Sequence, residues 1–169
     1  MKIHVLNEAD AEDYQGLRLR ALQTNPESFG STYEREAVFT TEMVQERIRP
    51  DEDKFVLGAY NTDGLLVGVV TFIRESLLKS QHKGNIYGMY VAPETRGQGV
   101  GKALMLEVIQ RAKETEGLEQ LILQVVSTND SAKKLYKSLG FETYGVEPRA
   151  IKDRELYFDE DLMVLFLHK

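Results

Sequence analysis

The chain has 169 residues, 42% hydrophobic and 28% charged, which is the composition of one globular domain with a substantial core. Its formal net charge of −6 disfavours non-specific binding to nucleic acid and mildly favours a cationic partner. There is no cysteine, which excludes disulfides, thiolate metal ligands and a cysteine nucleophile.

The N-terminal segment 1–6 is too short and turns polar too soon for a signal peptide, and no apolar run approaches about 18 residues. We therefore expect a cytoplasmic protein that does not bind a membrane, with a single domain over residues 1–169. The histidines His4, His82 and His168 lack the spacing of metal ligands, so we expect no metal site.

Helical and alternating patterns predict six elements before residue 93. They are a strand over 2–6, a helix begun by Asn7 or Asp10 and broken at Pro26, a helix capped by Thr40 or Thr41 and stopped at Pro50, and strands over 54–60, 65–74 and 85–92. Asn61-Thr62-Asp63-Gly64 is a strong hairpin signal, so the last three strands form an antiparallel meander, with Gly68 as the mark of a bulge. The long segment 25–39 is typical of a functional or partly helical loop.

The second half predicts a strand–helix–strand crossover followed by a second helix and the C-terminal strands. These elements are a helix over 99–116, a strand over 118–126, a helix capped within 127–130 and ended by Gly140, a strand over 141–146, a polar loop over 147–158 and a strand over 162–167. Because such a crossover is the unit of parallel sheets, strands 85–92 and 118–126 should be parallel neighbours.

One stretch, 85–104, places a strand, a glycine-rich turn and a helix N-terminus in direct succession. Glycines let the backbone approach a ligand, and a helix N-terminus offers free N–H groups and a positive dipole end. We interpret the stretch as a cradle for a pyrophosphate. The spacing fails the P-loop pattern at Arg96 and Ala103, and it fails the dinucleotide fingerprint at Lys102.

Arg96, Gly99 and Gly101 instead form Arg-x-x-Gly-x-Gly. This pattern resembles the coenzyme-A loop of the GNAT superfamily of N-acetyltransferases, and the segment 89–93 is similar to that family's fourth strand and its exit. The stretch 129–141 also resembles a second signature of the family, Asn-x-x-Ala-x-x-x-Tyr-x-x-x-Gly-Phe, and matches it at every position.

Three residues of the second signature lie three and four positions apart, so they face the same way on a helix. Small Ala132 leaves room for a ligand chain, Asn129 can hydrogen-bond that chain, and Tyr136 projects a phenol near its end. The resemblance implies acetyl-CoA as the acyl donor. It also implies donor contacts from Met89, Tyr90, Val91, Arg96, Gly97, Gln98, Gly99, Val100, Gly101, Lys102, Asn129, Ala132 and Tyr136.

The fold implied by the resemblance is the GNAT fold, which is α/β or, by some schemes, α+β. It has a mixed, mostly antiparallel sheet of about seven strands with a central splayed parallel pair, and helices on both faces. The splay opens a slot for the pantetheine arm and exposes backbone groups of the fourth strand.

The implied chemistry is direct attack of a neutral amine on the thioester in a ternary complex. Tyr136 is the candidate general acid, because a phenol of pKa near 10 can protonate a thiolate of pKa near 8.5. The base is less clear, since residues 86–92 carry no carboxylate. Glu34 and Glu36 are candidates, and we choose Glu34 as the catalytic residue. A solvated helical face for Glu34 and Glu36, or a water bound by backbone carbonyls, stays open as an alternative.

The leading hypothesis is thus an acetyl-CoA-dependent N-acetyltransferase acting on a small-molecule amine, such as a polyamine, an amino acid or an aminoglycoside-like compound. A protein N-terminal or lysine acetyltransferase and a non-catalytic acyl-CoA-binding module are the alternatives. The sequence also leaves open a homodimer formed through the C-terminal strands.

Overall fold

Seven strands form the centre of the structure, a computed structural model that describes residues 1–168. They are β1 (Lys2–Val5), β2 (Lys54–Tyr60), β3 (Leu66–Arg74), β4 (Lys83–Val91), β5 (Gln120–Val126), β6 (Glu142–Asp153) and β7 (Leu156–Phe166). They make one sheet in the order β1-β2-β3-β4-β5-β7-β6, in which β4 and β5 are parallel and every other pair is antiparallel.

Five α-helices accompany the sheet within residues 1–168. They are α1 (Ala11–Thr24), α2 (Tyr33–Glu36), α3 (Thr41–Ile48), α4 (Val100–Glu114) and α5 (Asp130–Ser138), with 3₁₀ turns at Glu8–Asp10, Pro26–Ser28 and Pro93–Thr95. The predicted mixed sheet with a central parallel pair and helices on both faces is confirmed. Within residues 1–168, none of the helices is long and apolar enough to cross a bilayer.

The helix α4 packs very closely on one face of the sheet at Gly68. A Cβ built on Gly68 would lie 2.9 Å from side-chain carbons of both Val100 and Leu104, so only glycine allows this approach. The predicted bulge lies beside Gly68, where the β2–β3 register shifts between Ala59 and Tyr60. On the other face α1 covers β3.

The central parallel pair separates soon after it begins. Cα pairing between β4 and β5 covers only Lys83–Asn85 against Gln120–Ile122, although both strands continue for several residues. A bulge in β4 contributes to the separation, because Gly88 there adopts φ +59 and the β3–β4 register shifts at this point. Bulges bend the strand that carries them, so β4 turns away from β5 and a slot opens between them.

The C-terminal hairpin corrects one prediction. The polar loop expected over 147–158 was wrong, because β6 and β7 continue through it as paired strands. Polar side chains on both faces of this exposed ribbon hid the alternating signal on which the strand prediction depended. The register shifts between Glu147 and Ile151, where Arg149 takes φ +51 and its N–H donates to Asp159 Oδ1 at 2.8 Å. β6 forms one edge of the sheet, so one side of this strand is unpaired. The homodimer through the C-terminal strands stays a prediction.

Candidate active site

A cleft of about 1070 Å³ occupies the slot between β4 and β5. One end is lined by the loop before α4, by the first turn of α4 and by the N-terminal half of α5. Other parts of the lining come from α1, the turn at residues 26–30 and the β6–β7 hairpin. The volume exceeds that of an ordinary small-ligand pocket, which suits two bound molecules.

The glycine-rich loop ends at the N-terminus of α4. Gly97 and Gly99 have φ of +78 and +82, and Gly99 is the N-cap of the helix. Gly101 lies against β4, since a Cβ there would be 3.0 Å from Met89 Cε. The free N–H groups of the first helical turn therefore face the cleft beside β4, where an anion would meet the positive end of the helix dipole.

Arg96 holds the loop against the rest of the cleft. Its Nε donates to the Val91 carbonyl at 3.0 Å and its Nη2 to Asn25 Oδ1 at 3.1 Å. The guanidinium also stacks 5.5 Å from the ring centroid of Tyr90, whose hydroxyl lies 2.8 Å from Thr24 Oγ1. Arg96 thus connects the end of β4 to the turn after α1, in addition to any contact with a ligand.

The second sequence signature forms the start and the inner face of α5. Asn129 Oδ1 accepts from the Ala132 N–H at 3.2 Å and caps the helix, which leaves the Nδ2 group of Asn129 for a contact with a ligand. Tyr136 lines the cleft at 6% exposure, and its ring meets Phe141 edge-on with centroids 5.9 Å apart. Burial raises the pKa of Tyr136 to about 12, which keeps the phenol protonated at neutral pH.

Most of the residues predicted to contact the donor line the same cleft. They are Met89, Tyr90, Val91, Arg96, Gly97, Gly99, Val100, Gly101, Lys102, Asn129, Ala132 and Tyr136. Gln98 and Glu34 are exposed and do not belong to this lining. The structure therefore does not bring the predicted base Glu34 together with Tyr136.

The carboxylates that line the cleft are Glu27 and Glu160, within the part of the chain that the structure describes. Burial, with the charge of Glu147 added, raises the pKa of the half-buried Glu160. From the sequence, the acidic run 159–161 is interpreted as solvated or as edge protection, with a rim that attracts cations as the alternative, and neither interpretation places Glu160 in a cleft. The missed signal was the alternation of side chains between the two faces of β7. Asp161 contacts Ser127 and Lys133, so its neighbour Glu160 lies on the opposite face of the strand.

A buried ion cluster lies beside the cleft, between α1, α2 and α3. Glu36 is fully buried, accepts from Arg18 Nε at 2.9 Å and Nη2 at 3.0 Å, and accepts from Arg47 Nη1 at 2.6 Å. Burial alone would raise the pKa of Glu36, but hydrogen bonds from Arg18, Ser31 and Arg47 outweigh it and lower the pKa to about 2. Glu36 is therefore a poor base.

Sequence reasoning missed this cluster, although α1 carried a signal for it. Arg18 lies on the same helical stripe as Tyr14, Leu17 and Ala21, so a charged group had to be buried with a partner. Among residues 1–168, no group of three or more His, Cys, Asp or Glu side chains is placed to hold a metal ion.

Comparison with known proteins gives a consistent result. The model of the Acetyltransferase (GNAT) family matches residues 17–141. A mycothiol acetyltransferase from Saccharomonospora viridis is 37% identical over 97 residues, which are 55% of this chain and 31% of that protein. This chain spans less than half the length of the curated relatives that it matches.

Two solved structures share the fold over nearly the whole chain. An acetyltransferase of the GNAT family from Streptococcus pneumoniae superposes with a TM-score of 0.87 at 21% identity and covers 99% of both chains. A putative acetyltransferase from Salmonella typhimurium, determined with its cofactor acetyl-CoA, gives a TM-score of 0.77 at 23% identity and covers 100% of this chain and 95% of that one.

Proposed function

Because the chain belongs to the GNAT family of acetyltransferases, we propose that it transfers an acetyl group from acetyl-CoA to a primary amine of a small molecule. The observation that carries the proposal is the slot between β4 and β5, with a glycine loop and a helix N-terminus at one end and Tyr136 in its wall. The names of the curated relatives, mycothiol acetyltransferases, favour a small-molecule acceptor.

In this proposal the pyrophosphate of the donor binds the N–H groups of the loop 97–102, which face the cleft beside the α4 dipole. The pantetheine arm lies along β4, where the backbone of Met89 and Val91 is no longer paired with β5. A backbone N–H of this strand stabilises the negative charge that develops on the thioester oxygen. The chemistry supplied by acetyl-CoA is its activated acyl group.

A glycine in the loop offers a direct test of this placement. We expect Gly99→Ala to weaken CoA binding about 5- to 30-fold, because an alanine at φ +82 is strained by about 1–2 kcal/mol and relaxes by rotating the loop amides. Isothermal titration with CoA measures the change. Gly16→Ala is the control, since Gly16 is exposed within α1 with open space around it. Equal affinity for CoA in the Gly99 variant would contradict the placement.

Tyr136 is the general acid in this proposal. The pKa of about 12 keeps the phenol protonated at neutral pH. Because a CoA thiolate with a pKa near 8.5 is a weaker base than the tyrosinate, complete proton transfer to the sulfur is uphill, and Tyr136 acts by donating a hydrogen bond to the sulfur as the C–S bond breaks. We assign the general base to Glu160 in place of Glu34, because it is the cleft-lining carboxylate whose pKa is raised toward the useful range.

The base assignment predicts a specific change in pH dependence. A carboxylate accepts a proton only when ionised, so kcat/KM should rise with pH through the raised pKa of Glu160. Glu160→Gln should lower kcat/KM about 100-fold and remove this ascending limb. Glu34→Gln is the matched control and should retain both the activity and the ascending limb of the pH profile. If Glu34→Gln instead removes the limb, Glu34 is the base and the assignment to Glu160 is wrong.

The function itself is tested by free-thiol release from acetyl-CoA across a panel of amines and N-terminal peptides. Turnover with small amines is expected. Turnover confined to the peptides would indicate a protein acetyltransferase. Tight CoA binding without turnover on any amine would indicate a non-catalytic acyl-CoA-binding module.

A further inference from the structure

One ion cluster in the cleft wall carries an excess positive charge, although the chain as a whole has a net charge of −6. The cluster of Arg18, Glu36 and Arg47 contains two guanidinium groups and one carboxylate, which leaves one uncompensated positive charge. Both arginines line the cleft, and Lys54 lines it as well. Both arginines share the single carboxylate of Glu36, so the pair keeps one positive charge that a ligand can neutralise.

Arg18 also keeps a hydrogen-bonding group free. Its side chain is only 9% exposed, and its Nε and Nη2 donate to Glu36, while its Nη1 has no hydrogen-bond partner among residues 1–168. Within residues 1–168, Gln15 Oε1 is the one fully buried side-chain N or O atom that lacks a hydrogen-bond partner. Arg18 Nη1 also lacks a partner in this range but is not among the fully buried atoms, so it is accessible to solvent. The side chain lies 4.9 Å above the Phe29 ring, which fixes the guanidinium at the cleft wall.

The free nitrogen lies at the bulge of β4, beside a second donor. A Cβ built on Gly88 would be 3.6 Å from Arg18 Nη1 and 3.7 Å from Thr71 Oγ1. The Thr71 hydroxyl likewise makes no hydrogen bond within residues 1–168, and Thr71 lines the cleft. These two donors could each bind one oxygen of a carboxylate.

The bulge is also next to the reaction centre of the proposed function. Consecutive Cα atoms are about 3.8 Å apart, so Gly88 is one residue step from Met89, whose backbone we assign to the thioester. A carboxylate held by Arg18 and Thr71 therefore lies within a few bonds of the attacking amine. That distance fits an amino acid and does not fit a polyamine with distant charges.

We propose that the acceptor is an amino acid-like molecule whose own carboxylate is bound by Arg18 Nη1 and the Thr71 hydroxyl. This inference rests on the proposed acetyl transfer and gives its acceptor class. The bound carboxylate neutralises the excess charge of the cluster, and the amine of the same molecule is directed toward Glu160 and the donor.

The test compares each common L-amino acid with its own C-terminal amide as acceptors, with thiol release from acetyl-CoA as the readout. The amide keeps the amine and the side chain but removes the anionic charge. For the preferred side chain, kcat/KM should be about 10- to 100-fold higher for the acid than for the amide, which is the range for a charge-assisted hydrogen bond. Equal or faster turnover of the amide overturns the proposal.

A binding experiment distinguishes failure of this proposal from failure of the proposed function. Isothermal titration of the CoA-saturated protein measures affinity for the acid and for the amide without any turnover. If the acid binds better than the amide but no amine is acetylated, the carboxylate site stands and the acetyl-transfer function fails. If amides or polyamines are acetylated and the acids neither bind nor react, the function stands and the carboxylate site fails.

Two variants test whether Arg18 and Thr71 cause the preference for the acid over the amide. Thr71→Val keeps the shape and should lower the acid-to-amide ratio about 5- to 10-fold, with little effect on the amide. Arg18→Gln should abolish the preference, and thermal unfolding checks that it folds. Arg49→Gln is the control, because Arg49 is exposed, pairs with Glu8 and Glu46, and lies outside the cleft. An unchanged ratio in Thr71→Val contradicts the role of its hydroxyl even if Arg18→Gln cannot be purified.

Discussion

Replacement of Tyr136 by phenylalanine is expected to lower kcat about 100- to 1000-fold, with little change in CoA affinity. The substitution removes only the hydroxyl, so the ring contact with Phe141 and the packing of α5 persist. The expected loss is in kcat because the phenol acts on the leaving sulfur during the chemical step and not on the bound ground state. Steady-state kinetics and titration with CoA separate the two quantities.

The pH profile gives a second check on Tyr136. With its pKa at about 12, the phenol remains protonated throughout the usual assay range, so it should contribute no descending limb there. Tyr144→Phe is the matched control, since Tyr144 is 56% exposed on β6. An unchanged kcat in the Tyr136 variant would exclude the tyrosine as the acid and would favour protonation of the sulfur by water.

Replacement of Glu36 by glutamine is expected to destabilise the fold by about 3–5 kcal/mol. Glu36 is fully buried, and the change leaves the guanidinium groups of Arg18 and Arg47 close together without their shared anion. Urea unfolding measures the loss. Glu94→Gln is the control, because Glu94 pairs with Arg20 at the surface with its side chain 58% exposed, and this variant should unfold like the wild type.

The same carboxylate makes stability depend on pH. The pKa of Glu36 is about 2 in the folded protein, below its ordinary value of 4.5, so the native state favours the ionised form. The stabilisation is complete above about pH 5 and is lost as the pH falls through about 4 toward 2. The Glu36→Gln variant should lack this contribution. An equally steep acid transition in wild type and variant would show that other carboxylates govern acid unfolding.

Local signals in the sequence were sufficient for the donor side of the cleft. Gly97 and Gly99 take positive φ at the start of α4, and Ala132 and Tyr136 share the inner face of α5, as the spacing predicted. These features depend on residues a few positions apart, where backbone conformation and helical periodicity decide the geometry. The crossover rule likewise predicted the parallel neighbours β4 and β5.

The acceptor side depends on contacts between distant segments, which periodicity does not encode. Arg18 and Glu36 meet only because the segment after α1 folds back over it, and Glu34, two positions away, points to solvent instead. Glu160 reaches the cleft only because β7 pairs with β5, and its pairing partner there is Val126. A single sequence contains no measure of either distance, so it could not show that Glu160 lines the cleft and that Glu34 does not.

The early separation of β4 and β5 has a consequence for how long the protein survives in a cell. Beyond Asn85 and Ile122, each strand presents backbone groups to the slot that a neighbouring strand would otherwise bind. A donor whose arm carries amides would act as the missing strand, so the native state gains stability by mass action, about 2.7 kcal/mol at a hundredfold excess over Kd. If the donor binds as proposed, the lifetime of this protein against proteases should increase with the supply of CoA and its thioesters.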